Sequence, residues 1–252
     1  MYKVYIISHL RAKNVPKIEG IIGTECYWYV GKGEKEEYEL YGAKNVVESG
    51  GLMESRNAAL DDAFSENKIC VQVSDDISYI RFVKDPLGTG LKRGDTDDIS
   101  FKLAIGYIMK SMDKYPECKM AGCPPTDNPY FYTGAEYDTN KFIVGDLIVI
   151  KPSDLRFDTN LTLKEDYDFT LAHLKKFGCA LRCNRVINTF AHRTNAGGAV
   201  DYRTTNEEQR NINYLTEKWG DMLVTNSKKT RPNEILFTRK KEPWRVFFSN
   251  KK

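Results

Sequence analysis

Residues 70–76, Cys-Val-Gln-Val-Ser-Asp-Asp, form the stretch from which the rest of this chain is interpreted. Val71 and Val73 alternate with polar neighbours in a short β-branched run, which is typical of a buried strand. The run then ends on two adjacent carboxylates, Asp75 and Asp76. Because ligands bind outside the carboxyl ends of strands in open α/β sheets, the pair lies where a binding site is expected.

Two carboxylates at one strand end repel each other unless a cation lies between them. Oxygen ligands at such a point favour a hard divalent cation that carries a phosphate, which indicates Mg²⁺ or Mn²⁺. An Asp-Asp pair in a turn is equally compatible with simple solvation. The remainder of the sequence has to decide between these two interpretations.

The composition allows a sizeable core in one large α/β domain or two small ones. The chain has 252 residues, of which 41% are hydrophobic and 12% aromatic. The net charge of +3 is mild, but residues 228–252 contain nine Lys or Arg against two acids. This asymmetry predicts either a contact with a polyanion or a solvated basic tail.

No targeting or membrane segment is recognisable in the sequence. The apolar run at residues 1–8 is too short for a signal peptide, and no run approaches the roughly 20 apolar residues of a membrane span. We therefore predict a soluble, cytoplasmic protein without a membrane partner. The six cysteines are expected to be reduced thiols, because the spacings 118–123 and 179–183 differ from the usual zinc knuckle.

The hydrophobic pattern alternates between strands and helices. Residues 85–98 are rich in Gly, Asp and Lys and are expected to be a mobile loop. This alternation predicts an α/β fold with a mostly parallel sheet. The predicted strands lie at 2–8, 25–30, 70–74, 147–150 (within the segment 142–152), 180–188, 235–238 and 246–249, and the predicted helices at 52–67, 99–115, 162–177 and 206–219.

A second acidic cluster opens one of the predicted helices. Residues 162–165, Thr-Leu-Lys-Glu, match a capping box, and Gly178 provides the stop. Glu165, Asp166 and Asp168 fall in the first turn, where the helix dipole favours carboxylates. Three acids are more than capping requires, so a functional and a structural interpretation both remain open.

His192 precedes a glycine-rich turn at residues 195–198. A histidine in this position can be a metal ligand, a phosphate contact or a structural side chain. The sequence leaves the three alternatives open.

The order of these elements over about residues 1–200 resembles that of GT-A glycosyltransferases. Those enzymes have an arginine-containing helix before a strand that ends in a D-x-D-like motif, then a helix-start Glu-Asp, and in some members a later histidine ligand. The corresponding elements here are Ser55-Arg56-Asn57, Ser74-Asp75-Asp76, Glu165-Asp166 and His192. Ser74 stands in place of the first acid of a strict D-x-D motif.

With Ile7-Ser8-His9-x-Arg11-x-x-Asn14 and the turn at 195–198 added, the set is most similar to the TET/JBP-associated glycosyltransferases. These proteins occur largely in bacteriophage genomes and are inferred to add sugars to hydroxymethylated pyrimidines in DNA. The implied fold is a GT-A-like α/β domain with a Rossmann-type, mostly parallel central sheet and helices on both faces. The resemblance divides the chain into residues 1–205, with a nucleotide-binding half to about 76 and an acceptor half at about 77–205, and a C-terminal helix and basic extension at 206–252, packed on the same domain.

The resemblance also implies a role for each candidate residue. The reaction moves a sugar from a nucleotide sugar, in the first place a UDP-sugar, to a hydroxyl in DNA, and a phage-encoded enzyme would work in the host cytoplasm. Asp166 is the candidate general base if the anomeric configuration is inverted, with Glu165 next, and it positions the acceptor if the configuration is retained. The donor nucleotide is assigned to Ser8, Arg11, Asn14, Arg56 and Asp75, the Mn²⁺ or Mg²⁺ ion to Asp76 and His192, and DNA contacts to Lys240, Lys241, Trp244 and Arg245.

Three other functions are compatible with the sequence. A glycosyltransferase could act on protein, glycan or a small molecule instead of DNA. A nucleotidyltransferase also uses paired aspartates on a strand. A non-catalytic nucleic-acid-binding module would need only the basic C-terminal end.

Overall fold

The computed structural model describes residues 1–190, residue 198, residues 203–225 and residues 237–239. The helices in these ranges are α1 (Val15–Ile22), α2 (Lys35–Leu40), α3 (Leu52–Ser65), α4 (Phe101–Lys114), α5 (Glu165–Phe177) and α6 (Thr205–Trp219). The strands are β1 (Tyr2–Ile7), β2 (Tyr27–Val30), β3 (Val46–Glu48), β4 (Ile69–Ser74), β5 (Ile77–Val83), β6 (Thr96–Asp98), β7 (Met120–Gly122), β8 (Tyr137–Asp138), β9 (Leu147–Ile150), β10 (Leu181–Cys183), β11 (Val186–Phe190), β12 (Leu223–Thr225) and β13 (Phe237–Arg239).

An eight-stranded sheet in the order β3-β2-β1-β4-β9-β7-β10-β8 forms the centre of the fold. The first four strands pair in parallel, whereas β9 is antiparallel to β4 and β7, and β8 is antiparallel to β10. The chain is therefore α/β, as predicted, but the prediction of a mostly parallel sheet is wrong, because the sheet is mixed. Parallel neighbours need a crossover, which α1, α2 and α3 supply, while the described segment between β7 and β9 contains no α-helix.

The core has two layers, one on each face of the sheet. Alternate residues of β1 point to opposite layers: Val4 and Ile6 pack with α1, α2 and α4, and Tyr5 and Ile7 pack with α3, α5 and α6. Helices thus cover both faces. Each large apolar side chain buried in these layers contributes about 1.5–3 kcal/mol of hydrophobic stabilisation.

The predicted central strand is confirmed as β4, which lies between β1 and β9. Val71 and Val73 are almost completely buried. In the parallel register Ile7 pairs with Ser74 on one side and with Tyr29 on the other. The carboxyl ends of β1, β2 and β4 therefore meet at one edge of the sheet.

A second sheet begins immediately after the Asp75-Asp76 turn. β5 pairs antiparallel with β11 and with β6, giving the order β11-β5-β6. No strand was predicted at Ile77–Val83. The segment 180–188 was predicted as one strand, but it contains β10 and the start of β11, which belong to different sheets. Part of the predicted loop at 85–98 is the strand β6.

The predicted capping box at residues 162–165 is wrong. Helix α5 begins at Glu165, and its N-cap is Lys164 in the left-handed conformation with φ +63°, without a side-chain cap. Thr162 Oγ1 instead accepts hydrogen bonds from Arg210 and Asn211 of α6, at 3.0 and 2.9 Å. The predicted stop is confirmed, since Gly178 ends the helix with φ +75°.

The prediction that all six cysteines are reduced thiols is wrong for two of them. Cys118 and Cys179 are joined as a disulfide, with their Cα atoms 4.9 Å apart. The other four cysteines are free and buried. In the described part of the chain, no helix is both long enough and apolar enough to span a bilayer.

Candidate active site

A cleft of about 1200 Å³ opens at the edge where β1, β2 and β4 end. Walls of this cleft come from the strand ends, from the start of α3 and from the start of α5. Most of the residues predicted from the sequence meet there: Ser8, Arg11, Arg56, Asp75, Asp76, Glu165 and Asp166. Side chains that are up to 158 positions apart in sequence thus share one cavity.

The first acidic pair occupies the turn between β4 and β5. Asp75 is only 2% exposed. One carboxylate oxygen accepts a hydrogen bond from Ser8 Oγ, and the other accepts one from Arg11 Nη1 at 2.7 Å. Burial raises the pKa of Asp75, and the Arg11 guanidinium and the Ser8 hydroxyl oppose that rise. Both oxygens of Asp75 are therefore engaged within the protein.

Arg11 is the cation that relieves the repulsion between the two carboxylates. Its Nη1 lies 2.7 Å from Asp75 Oδ1 and 3.9 Å from Asp76 Oδ2. Asp76 Oδ1 accepts a hydrogen bond from Ser74 Oγ at 2.8 Å. Of the pair, Asp76 thus has the longer and weaker contact with the arginine. Because its contact with Arg11 is weaker, Asp76 is the better candidate of the two to offer a carboxylate oxygen to a divalent cation that carries a phosphate.

Polar groups around Arg11 hold it in place. Its backbone N–H donates to Tyr38 Oη at 3.1 Å, and Tyr38 Oη also lies 2.5 Å from Ser8 Oγ. Asn14 donates to the backbone carbonyl of Asp75 at 3.0 Å and so fixes the turn, although it does not line the cleft. The N–H of Gly198 donates to the His9 carbonyl at 2.9 Å. A Cβ atom at residue 198 would approach the Arg11 guanidinium to 2.9 Å, and φ is +64°, so a side chain there would strain the backbone and displace the guanidinium.

The second acidic pair, Glu165 and Asp166, opens α5 on the other side of the cleft. Glu165 Oε1 forms an ion pair with Arg56 Nη2 at 2.9 Å. Asp166 accepts hydrogen bonds from the backbone N–H groups of Gly145, at 3.2 Å, and Tyr167, at 3.0 Å. A Cβ atom at residue 145 would lie 2.8 Å from Arg56 Nη2, so the absence of a side chain at Gly145 permits this approach.

Asp166 has an electrostatic environment suited to proton transfer. Burial, with the adjacent negative charge of Glu165 as a second cause, raises the pKa of Asp166 to about 7. The carboxyl group is surrounded by protein yet retains partial access through the cleft, since the residue is only half-buried. A base with a pKa near 7 matches the working range of general acid–base catalysis.

Arg56, a predicted contact of the donor nucleotide, lines the cleft and is held there by contacts within the protein. Its Nη1 donates to Gln72 Oε1 at 3.1 Å, and its Nη2 donates to the Gly145 carbonyl at 3.0 Å besides pairing with Glu165. Gln72 in turn donates to the Arg56 carbonyl at 2.8 Å, which explains a fully buried polar residue in the centre of β4. Arg56 therefore positions Glu165 and joins α3 to the sheet.

Sequence reasoning did not select a histidine–carboxylate pair at the cleft. His9 Nδ1 lies 2.5 Å from Glu34 Oε1, and Glu34 is 6% exposed. A Cβ atom at residue 31 would collide with Glu34 Oε1 at 2.1 Å. The absence of a side chain at Gly31 therefore permits the approach of Glu34, and no local sequence pattern indicates that Glu34 would pair with His9.

Five predicted residues lie outside the described ranges: His192, Lys240, Lys241, Trp244 and Arg245. Among the residues that are described, one group of potential metal ligands converges within 4.8 Å, namely Glu117, Cys118 and Cys179. Two of these are the disulfide cysteines, and the group does not line the cleft. In comparisons with known proteins, no family model and no curated protein matches this chain.

Proposed function

We propose that this protein is a glycosyltransferase that moves a sugar from a nucleotide sugar, a UDP-sugar in the first place, to the hydroxyl of a 5-hydroxymethylpyrimidine in DNA. The observation that carries the proposal is the joint presence, in one cleft, of a carboxylate with a pKa near 7 and a buried arginine–aspartate cluster. The first supplies a proton acceptor, and the second lies at the strand ends where α/β sheets bind ligands.

The donor half of the cleft is formed by the ends of β1, β2 and β4. Arg11 carries a guanidinium that suits diphosphate recognition, and Asp75 and Ser8 orient it. Asp76 is the described residue that would hold Mg²⁺ or Mn²⁺, with substrate phosphates as further ligands. When bound, such an ion supplies Lewis-acid stabilisation of the departing diphosphate.

The acceptor half contains Asp166. Its carboxylate takes the proton of the acceptor hydroxyl as that oxygen attacks the anomeric carbon. The bond from the anomeric carbon to the diphosphate breaks, and its electron pair leaves with the nucleoside diphosphate. Glu165 pairs with Arg56, and after burial its negative charge is the next cause of the raised pKa of Asp166. This assignment holds for inversion of the anomeric carbon.

Differential binding and product analysis test the proposal together. The thermal transition would be followed with UDP, UDP-glucose, UDP-N-acetylglucosamine, GDP and dNTPs, each with and without Mn²⁺. Ligand at about 100 times its Kd adds roughly 2.7 kcal/mol, which moves a melting point visibly. We expect a shift with one nucleoside diphosphate that is weaker in Asp76→Asn.

Hydroxymethylated DNA is then incubated with the protein and the sugar derivatives of that nucleoside diphosphate, and mass spectrometry of the DNA measures sugar transfer. A mass increase of one sugar is expected from the wild type and is expected to be absent with unmodified DNA. Cleavage of dNTPs instead of nucleotide sugars would replace the proposal with a nucleotidyltransferase. The proposal fails if no nucleotide shifts the transition.

A further inference from the structure

Two stacked aromatic rings line the cleft next to Asp166. The Phe142 and Tyr167 ring centroids are 4.3 Å apart, with 18° between the ring planes. Both residues are half-buried, and both line the cleft. Because both rings line the cleft, a planar group bound in it can pack against the ring that it meets.

The ring pair is fixed to the same helix as the candidate base. Tyr167 directly follows Asp166 in the first turn of α5. Ile143, next to Phe142, forms backbone contacts of 3.4 Å with the Thr170 hydroxyl of α5. A ligand stacked on these rings would therefore have a defined position relative to the Asp166 carboxylate.

The cleft around the rings offers apolar contacts to a flat acceptor. The apolar residues Pro124, Pro125, Val144 and Phe190 line the same cleft. A flat base that packs on the rings can therefore bury its faces against apolar side chains. Asp166, which precedes Tyr167 in the first turn of α5, provides the carboxylate for a hydroxyl substituent of that base.

We propose that Phe142 and Tyr167 form a stacking platform for an unpaired nucleobase, which places the hydroxyl substituent of that base beside Asp166. This inference rests on the proposed function and identifies the form of its acceptor. A base inside a duplex cannot reach a cleft of this kind, so the platform takes bases from single strands or bases flipped out of the helix.

Binding of a fluorescent single-stranded oligodeoxynucleotide with one 5-hydroxymethylcytosine to the full chain tests the platform. Phe142→Leu, which keeps an apolar side chain but removes the ring, is expected to weaken binding about tenfold, as for one lost base–aromatic stack. Phe142→Trp is expected to bind within about twofold of the wild type. The matched control is Phe131→Ala, which removes an exposed ring that does not line the cleft.

Equal affinity of the wild type and Phe142→Leu would overturn the inference. Displacement of the oligonucleotide by a soluble oligosaccharide would overturn it as well and would assign the rings to a glycan acceptor. Binding of UDP and GDP is measured on the same variants. If a nucleoside diphosphate still binds while the ring has no effect, only the platform is wrong; if none binds the wild type, the proposed function itself is wrong.

Discussion

Two consecutive acidic pairs face the same cleft, and each has a buried arginine beside one member. In the pair that follows β4, Arg11 binds Asp75 at 2.7 Å and also approaches Asp76 to 3.9 Å. In the pair that opens α5, Arg56 binds Glu165 at 2.9 Å, and Asp166 receives only backbone N–H groups. One arginine is thus shared between its two acids, whereas the other serves mainly one.

The difference shows how similar sequence features acquire different chemistry. A guanidinium near both acids compensates both charges and makes a rigid anchor for a ligand. A guanidinium directed at only one acid leaves the second without a cation of its own, and burial together with the adjacent acid raises the pKa of that second acid. The first arrangement suits binding, and the second suits proton transfer at neutral pH.

The largest effect is expected from Asp166→Asn. Loss of the general base should lower the rate of sugar transfer by about 10²–10⁴-fold, because an amide cannot accept the acceptor proton. UDP affinity should stay near the wild-type value, since Asp166 lies in the other half of the cleft. Steady-state transfer to hydroxymethylated DNA measures the rate, with the exposed acid in Asp113→Asn as control. Unchanged transfer by Asp166→Asn would remove the base from the mechanism.

Arg11→Met is expected to destabilise the protein by about 3–5 kcal/mol. It leaves the carboxylate of Asp75 buried without its cation, and breaking a buried ion pair from one side has a cost of this size. Urea unfolding measures the change. The double variant Arg11→Met/Asp75→Asn should recover much of the loss, because the buried charge is removed as well. A double variant no more stable than the single one would mean that Arg11 stabilises the fold through other contacts.

The sequence predicted the parts of the fold that depend on short-range patterns. The buried strand with Val71 and Val73 and the stop of α5 at Gly178 follow from side-chain alternation and from left-handed glycine geometry. The reversed direction of β9 could not be predicted, since a short apolar run does not show which neighbour it will pair with. The strand at Ile77–Val83 was not predicted, and its buried residues do not alternate strictly with exposed ones.

The candidate site was predicted as a set of residues but not as a set of contacts. The order of the motifs assigned the two acidic pairs and Arg11 to one site, and all five residues line one cleft in the structure. No local pattern indicates that Arg56 binds Glu165, which is 109 positions away, or that Arg11 lies between two aspartates. Repulsion between adjacent carboxylates predicts a nearby cation but does not show its source, and the structure places the Arg11 guanidinium beside both acids.

The pH dependence of stability provides a smaller test of the second pair. Since the pKa of Asp166 is raised to about 7, its contribution to stability is fully present below about pH 4 and is lost as the pH rises to about 7. Asp166→Asn should therefore gain about 2–4 kcal/mol over the wild type between pH 4 and pH 8 in urea unfolding.

Asp158 is a control of opposite sign for that measurement. Burial acts to raise its pKa, but hydrogen bonds from Lys218 and Tyr214 lower it overall. The contribution of Asp158 to the free energy of unfolding is thus present at neutral pH and is lost as the pH falls below about 4. Asp158→Asn should lose stability relative to the wild type at pH 7 but not at low pH. Parallel curves for the two variants would contradict the environment assigned to Asp166.

The smallest effect is expected in the pH dependence of the transfer rate, which Arg56 and Arg11 should influence differently. Transfer by the wild type should rise with pH through an apparent pKa near 7, because Asp166 must lose its proton to act as a base. The charge of Arg56 lowers the pKa of Asp166, so Arg56→Gln should move this limb upward by less than about one pH unit. Arg11→Lys keeps the positive charge beside Asp75 and Asp76, so the rising limb of the profile should stay in place. The same change should weaken UDP binding, because lysine cannot contact a phosphate bidentately. A limb that moves in Arg11→Lys but not in Arg56→Gln would show that the proton acceptor belongs to the Asp75-Asp76 pair.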